Sequence, residues 1–184
     1  LLLTSQALAQ EEVIIEVPSY TINYNVQQNT EFPGFLTKRG DFKRLKEKTG
    51  NGKGVKVGVA DTGLDRTHSL PGGDLEIYTG QNEDTYRVRE AKDFTNSRSG
   101  WFDVNGHGSH VASMIGAAGD GKGIEGIASD CELYVAKVLG DQGFGTDSQI
   151  ADGIRWLAFE KKVDIINLSL GGGFSPRIEK AVKE

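Results

Sequence analysis

An α/β domain organised on a mostly parallel sheet is predicted by three observations. Short apolar runs at residues 55–60, 132–138 and 164–169 have the length of buried strands. Amphipathic helical patterns separate them. Strands that alternate with such helices pair in parallel through right-handed crossovers. The chain has 184 residues, 37% of them hydrophobic, which suits one domain with a substantial core.

Taken in order, the chain begins Leu1-Leu2-Leu3 and continues to small residues at Ala7 and Ala9. This resembles the tail of a secretory signal peptide cleaved after Ala9, and it implies a secreted or periplasmic destination. Residues 10–50 read as an N-terminal arm. Within it, 13–26 are rich in Val, Ile and Tyr and read as extended, with Pro18 confining the first segment to an edge. Residues 41–48 read as a short helix, and Gly50-Asn51-Gly52-Lys53-Gly54 ends it. Residues 51–184 read as the main domain.

The first core strand, Val55-Lys56-Val57-Gly58-Val59-Ala60, ends on Asp61-Thr62-Gly63. Catalytic groups of parallel sheets gather at such carboxyl ends. Asp61 is equally suited to capping the following turn through its side chain. Residues 65–106 are polar, and one strand is expected near residues 75–78 among long surface loops. At Asn105-Gly106-His107-Gly108-Ser109-His110 a glycine turn opens into a helix, with Val111, Met114, Ile115 and Ala118 as its apolar stripe. His107 therefore stands at a helix mouth. Residues 132–138 form the second strand. Gly143-Phe144-Gly145 lies in a loop, and Thr146-Asp147-Ser148-Gln149 matches a capping box. The helix behind it carries Ile150, Ile154, Leu157 and Ala158 as its stripe. The third strand runs into Leu170-Gly171-Gly172-Gly173, and Ser175-Pro176 opens another helix with a hydroxyl cap and proline at its first position.

Several classes are excluded by composition. The net charge of −5 argues against a nucleic-acid partner. The most basic run, residues 43–48, reads as a solvated helix face. No apolar stretch approaches the roughly 18 residues that a membrane-spanning helix needs. The single cysteine, Cys131, rules out an internal disulfide and reads as a core residue.

Asp61 and His107 are two parts of a nucleophilic constellation. A carboxylate that accepts a hydrogen bond from one ring nitrogen fixes the histidine tautomer and stabilises the imidazolium formed when the other nitrogen takes a proton. Three motifs then occur in register: Asp61-Thr62-Gly63 after a valine-rich strand, His107-Gly108-Ser109-His110-Val111-Ala112, and Ile166-Asn167-Leu168-Ser169-Leu170-Gly171-Gly172. Together they resemble the subtilisin-like (subtilase) serine proteases over roughly residues 55–183. The resemblance implies a three-layer domain, with helices on both faces of the sheet, truncated on its C-terminal side. It implies that Asp61 orients His107 and that His107 is a general base. It implies that polypeptide substrate lies between Gly143, Phe144, Gly145 and the segment Ser169, Leu170, Gly171, Gly172, pairing by strand addition. His110 corresponds to a packing position.

The departures are as informative. The family's serine motif, of Gly-Thr-Ser-Met-Ala type, does not occur among these residues. Ser113-Met114 echoes it but falls within the His107 helix, and Asn167 lies on the wrong strand to be the family's asparagine oxyanion donor. The expected partner is therefore a C-terminal half of the domain that carries the serine, and this chain alone is expected to be inactive. No cofactor is required. Structural calcium, which many relatives hold, has only Asp120 as a candidate ligand, because its acidic partner's position falls at Leu70. About 50 residues separate Gln10 from Asp61, too few for a usual inhibitory prodomain plus the domain's own arm. A non-catalytic binding protein on this fold is the alternative. Phosphate binding is disfavoured, since Gly121, Gly123 and Gly126 follow a helix and do not precede one. A metal held by His107 and His110 lacks a third ligand nearby in sequence.

Overall fold

Two of the apolar runs form the centre of a sheet. β2 (Lys56–Asp61) and β4 (Glu132–Lys137) pair in parallel, with Val59 opposite Val135 and Asp61 opposite Lys137. The computed structural model describes residues 2–4, 47–65, 75, 87–119 and 124–184. Among these, five strands lie in the order β1 (Leu2–Thr4), β5 (Ile165–Asn167), β2, β4 and β3 (Val88–Asp93). β3 pairs in parallel with β4, and β5 in parallel with β2. β1 pairs antiparallel with β5. Leu1–Ser5 and Gly50–Glu184 make one compact unit, and Gln6–Thr49 make a second. The second unit lies outside the described residues except for 47–49, which are helical. The extended segments expected over 13–26 and most of the helix expected over 41–48 also lie outside them.

Helices cover both faces, as a parallel sheet requires. On one side α1 (His107–Gly116) packs over Val57, Val59, Leu133 and Val135. On the other, α2 (Asp147–Arg155) and α3 (Pro176–Lys183) cover Ala60, Ala136, Val138 and Leu168. The division follows the two-residue alternation of a strand. The Thr146 hydroxyl accepts from the Gln149 N–H and the Gln149 side chain accepts from the Thr146 N–H, closing the capping box that starts α2. Ser175 caps α3, with Pro176 at its first position. The α2 chain continues as a π-turn over Trp156–Glu160, and this carries Leu157 into the core with no exposure.

Three expectations need correction. The region 65–106 contains β3, which the sequence reading missed. Val-Arg-Glu-Ala-Lys-Asp has no apolar run because β3 is an outer strand with little buried surface. Leu75 is fully buried but sits in a turn, and residues 76–78 lie outside the described set. The most deeply buried face of α1 is also not its large apolar stripe, although Val111 and Ile115 pack against the same core. Gly108, Ser109, Ala112, Ser113 and Gly116 are buried, while Val111, Met114 and Ile115 are half-buried. Small residues let this helix lie close to the sheet, so burial there follows size more than hydrophobicity. β1 is a further difference, since the pattern of residues 1–9 predicts no strand. Among the described residues, no helix is long and apolar enough to cross a membrane.

Truncating Leu157 tests the layer under α2. Leu157→Ala removes a fully buried side chain and is expected to cost about 3 kcal/mol, read as a lower urea midpoint with an unchanged slope.

Candidate active site

The strand alternation that puts Val57 and Val59 under α1 puts Asp61 there too. Asp61 has no solvent exposure. Its Oδ1 accepts from the Thr62 N–H at 2.7 Å and from His107 Nδ1 at 2.7 Å. Its Oδ2 is buried with no hydrogen-bond partner among the described residues. The His107 side chain is 51% exposed, so the pair joins a buried carboxylate to a ring that reaches solvent. With Nδ1 engaged, Nε2 is the nitrogen left to exchange a proton.

The start of α1 is held by Thr62, which the sequence places in the Asp61 motif without a role of its own, and by Asp103, which the sequence reading did not single out. A helix leaves its first N–H groups without internal partners, and here the residue before it is Gly106, which has no side chain to cap with. Side chains from elsewhere serve instead. The Gly108 N–H donates to Thr62 Oγ1 at 2.8 Å, and the Ser109 N–H to Asp103 Oδ2 at 2.9 Å. Asp103 also accepts from the Ser109 hydroxyl (2.6 Å), the Thr62 hydroxyl (2.9 Å) and the N–H groups of Asn105 and Gly106. Thr62 therefore joins the residue after Asp61 to both Asp103 and the first turn of α1. An acidic residue ahead of a helix, Asp103 before His107, was the available sequence signal. What it bonds to could not be read from the chain.

Two glycines permit the close approach. Gly63 has φ +116°, and a Cβ there would collide with the Trp101 carbonyl oxygen. A Cβ on Gly108 would lie 2.6 Å from the Gly63 carbonyl oxygen and 3.0 Å from the Thr62 nitrogen. The residue after His107 thus touches the backbone that follows Asp61.

The two acids carry opposite shifts. Burial pushes the Asp61 carboxyl above its usual range, against the hydrogen bonds from His107 and the Thr62 N–H. Burial also acts upward on Asp103, but the bonds from Ser109, Gly106 and Thr62 outweigh it and hold that carboxyl below its usual range.

A cleft of about 390 Å³ opens beside His107. Gly143, Phe144 and Gly145 line it, as do Ser169, Leu170 and Gly171, together with Leu139 and Ile150. The structure therefore gathers the expected residues at one place, except that Gly172 is exposed outside the lining. Phe144 is 83% exposed at the rim. The Gly143 loop is closed by the Gly143 N–H to the Gly140 carbonyl and the Gly140 N–H to the Phe144 carbonyl. Ser113 is not part of the cleft. Its hydroxyl donates to the Ser109 carbonyl within α1, in keeping with its rejection as a nucleophile. Cys131 is buried, with its thiol pushed up to about 11 by desolvation, as suits an inert core residue. Asp120 lies outside the described residues, and so does any geometry for a cation there.

Residues 52–184 match the model of the subtilase family. The chain is 40% identical over 138 residues to an intracellular serine protease of Paenibacillus polymyxa, covering 72% of this chain and 38% of that protein. It is 39% identical over 121 residues to subtilisin DY of Bacillus licheniformis, covering 66% and 38% respectively. The crystal structure of a cold-adapted subtilisin-like serine proteinase superposes with a TM-score of 0.54 at 31% identity, covering 72% of this chain and 42% of that one. The chain belongs to the subtilase family. It spans less than half the length of these relatives.

The packing and the charges give three expected outcomes. Gly108→Ala forces backbone apart between α1 and residues 62–63, and a loss of about 2 kcal/mol in urea unfolding is expected. A raised carboxyl pKa means that ionising Asp61 costs folding stability, so the penalty is present at neutral pH and fades as pH falls toward about 4. Asp61→Asn is therefore expected to be more stable than the parent chain at pH 7, with the gap closing in acid. Asp103 has the opposite sign, and Asp103→Asn is expected to be less stable at pH 7. Urea midpoints across this pH range read both.

Proposed function

We propose that this chain supplies the Asp/His part and one substrate-binding side of a serine endopeptidase, with the nucleophilic serine and the oxyanion donor supplied by sequence beyond Glu184. The observation that carries the reading is the 2.7 Å contact between buried Asp61 and half-exposed His107 at the rim of the cleft. Family membership supports it.

In this reading, His107 Nε2 takes the proton of the serine hydroxyl as that oxygen attacks the scissile carbonyl. Asp61 holds Nδ1–H and stabilises the imidazolium. His107 then gives the proton to the leaving amine, and a water repeats the sequence to release the acyl group. Only a proton and an acyl group move, so the reaction itself calls for no cofactor. The peptide substrate lies extended between residues 143–145 and 169–171 and pairs with their backbone. A bound peptide strand covers Phe144, which accounts for an aromatic ring left so exposed. Export is read from residues 1–9 alone; a relative named as intracellular shows that the family does not fix the compartment.

The test uses the longer reading frame beside the 184-residue chain. A fluorophosphonate is expected to label the longer protein and not the shorter one. His107→Ala is expected to cut peptide hydrolysis by at least about 10⁴-fold. A stop codon directly after Glu184 with no serine-bearing partner would overturn the reading and leave a non-catalytic binding protein on the same fold.

A further inference from the structure

Lys137 is a fully buried charged side chain that the chemistry above does not use. It ends β4 on the face that carries Leu133 and Val135, in register with Asp61. Its Nζ donates to the Thr62 carbonyl at 2.6 Å and the Phe102 carbonyl at 3.0 Å, and it pairs with Asp141 Oδ1 at 3.0 Å. An ammonium has three N–H bonds, and here each meets an acceptor on a different segment. Thr62 follows Asp61. Phe102 precedes Asp103, which holds the start of α1. Asp141 stands two residues before Gly143, in the turn that shapes one wall of the cleft, and accepts a second bond from Ser99.

Burying an ammonium is costly unless its charge and all its protons are met, and an apolar side chain of similar volume avoids that cost. Leu or Met would fill this space. Neither could tie three loop segments to one point. We propose that Lys137 is a positioning residue that fixes the Asp61 segment, the His107 segment and the Gly143–Gly145 wall relative to one another. It acts through Thr62, Phe102 and Asp141 and does not touch the substrate. The inference rests on the protease reading for its kinetic consequence but not for its structural one.

The experiment therefore has two arms. In the 184-residue chain, the proton on His107 Nδ1 is followed by NMR, where its short bond to Asp61 gives a downfield resonance. Lys137→Met is expected to move that resonance upfield and speed its exchange. Leu157→Ala, which loosens the opposite face of the sheet, is expected to leave it in place. In the longer protein, Lys137→Met is expected to lower kcat by about 10²-fold, the order of loss that a misplacement near 1 Å causes, and to raise KM. Should Lys137→Met fail to fold, Asp141→Asn weakens the same tripod at its half-buried arm and is expected to raise KM more than it lowers kcat. The proposal is overturned if the His107 resonance responds no more to the Lys137 and Asp141 variants than to Leu157→Ala. A longer protein that hydrolyses nothing would sink the protease reading while the resonance still reports on Lys137.

Discussion

A carboxylate with no exposure stands at the end of the central strand, and much of the nearby architecture answers to it. Asp61 is out of water, and one of its oxygens has no partner among the described residues. Its other oxygen takes two donors, from Thr62 and His107. Burial of this kind disfavours the charge, so the surrounding groups have to hold it in place. Thr62 gives its N–H to Asp61 and its hydroxyl to Asp103, and accepts the Gly108 N–H. The mouth of α1 is thereby fastened to the strand end that carries the acid.

This fastening explains why the interior near the site is polar. Asp103 accepts five hydrogen bonds and substitutes for the local cap that α1 lacks. Lys137 spends all three protons on carbonyl and carboxylate oxygens from three loops. Polar groups buried with their partners in this way rigidify a structure, and Asp61 Oδ2 is the exception left without one among the described residues. The apolar layers beneath, with Val59 and Val135 on one face and Ala60 and Leu157 on the other, give that network a rigid floor. The glycines do the complementary work of letting backbones meet, most clearly where Gly108 faces Gly63.

The parts that were legible beforehand share a local cause. β2 and β4 are continuous apolar runs because both of their faces are covered. α2 and α3 announce themselves through Thr146-Asp147-Ser148-Gln149 and Ser175-Pro176, whose bonds close within a few residues. Asp61 and His107 were found through residue type, position at an element's end and motif order. The parts that were missed have causes elsewhere in the fold. β3 is strand-like only because β4 offers it an edge. The buried face of α1 is set by how closely the sheet approaches, which favours its small side chains over its large apolar ones.

The amino-acid sequence by itself determined the alternation of strands and helices, the strand ends on which chemistry could sit, and the order of the three motifs. These depend on periodicity, capping and residue type, which are properties of neighbours along the chain. Tertiary structure alone decided that Asp61 and His107, 46 residues apart, meet at 2.7 Å, and that Lys137 ties together loops from three regions. Those contacts arise from strand register and from the need to satisfy polar groups removed from water, and no local pattern encodes either one.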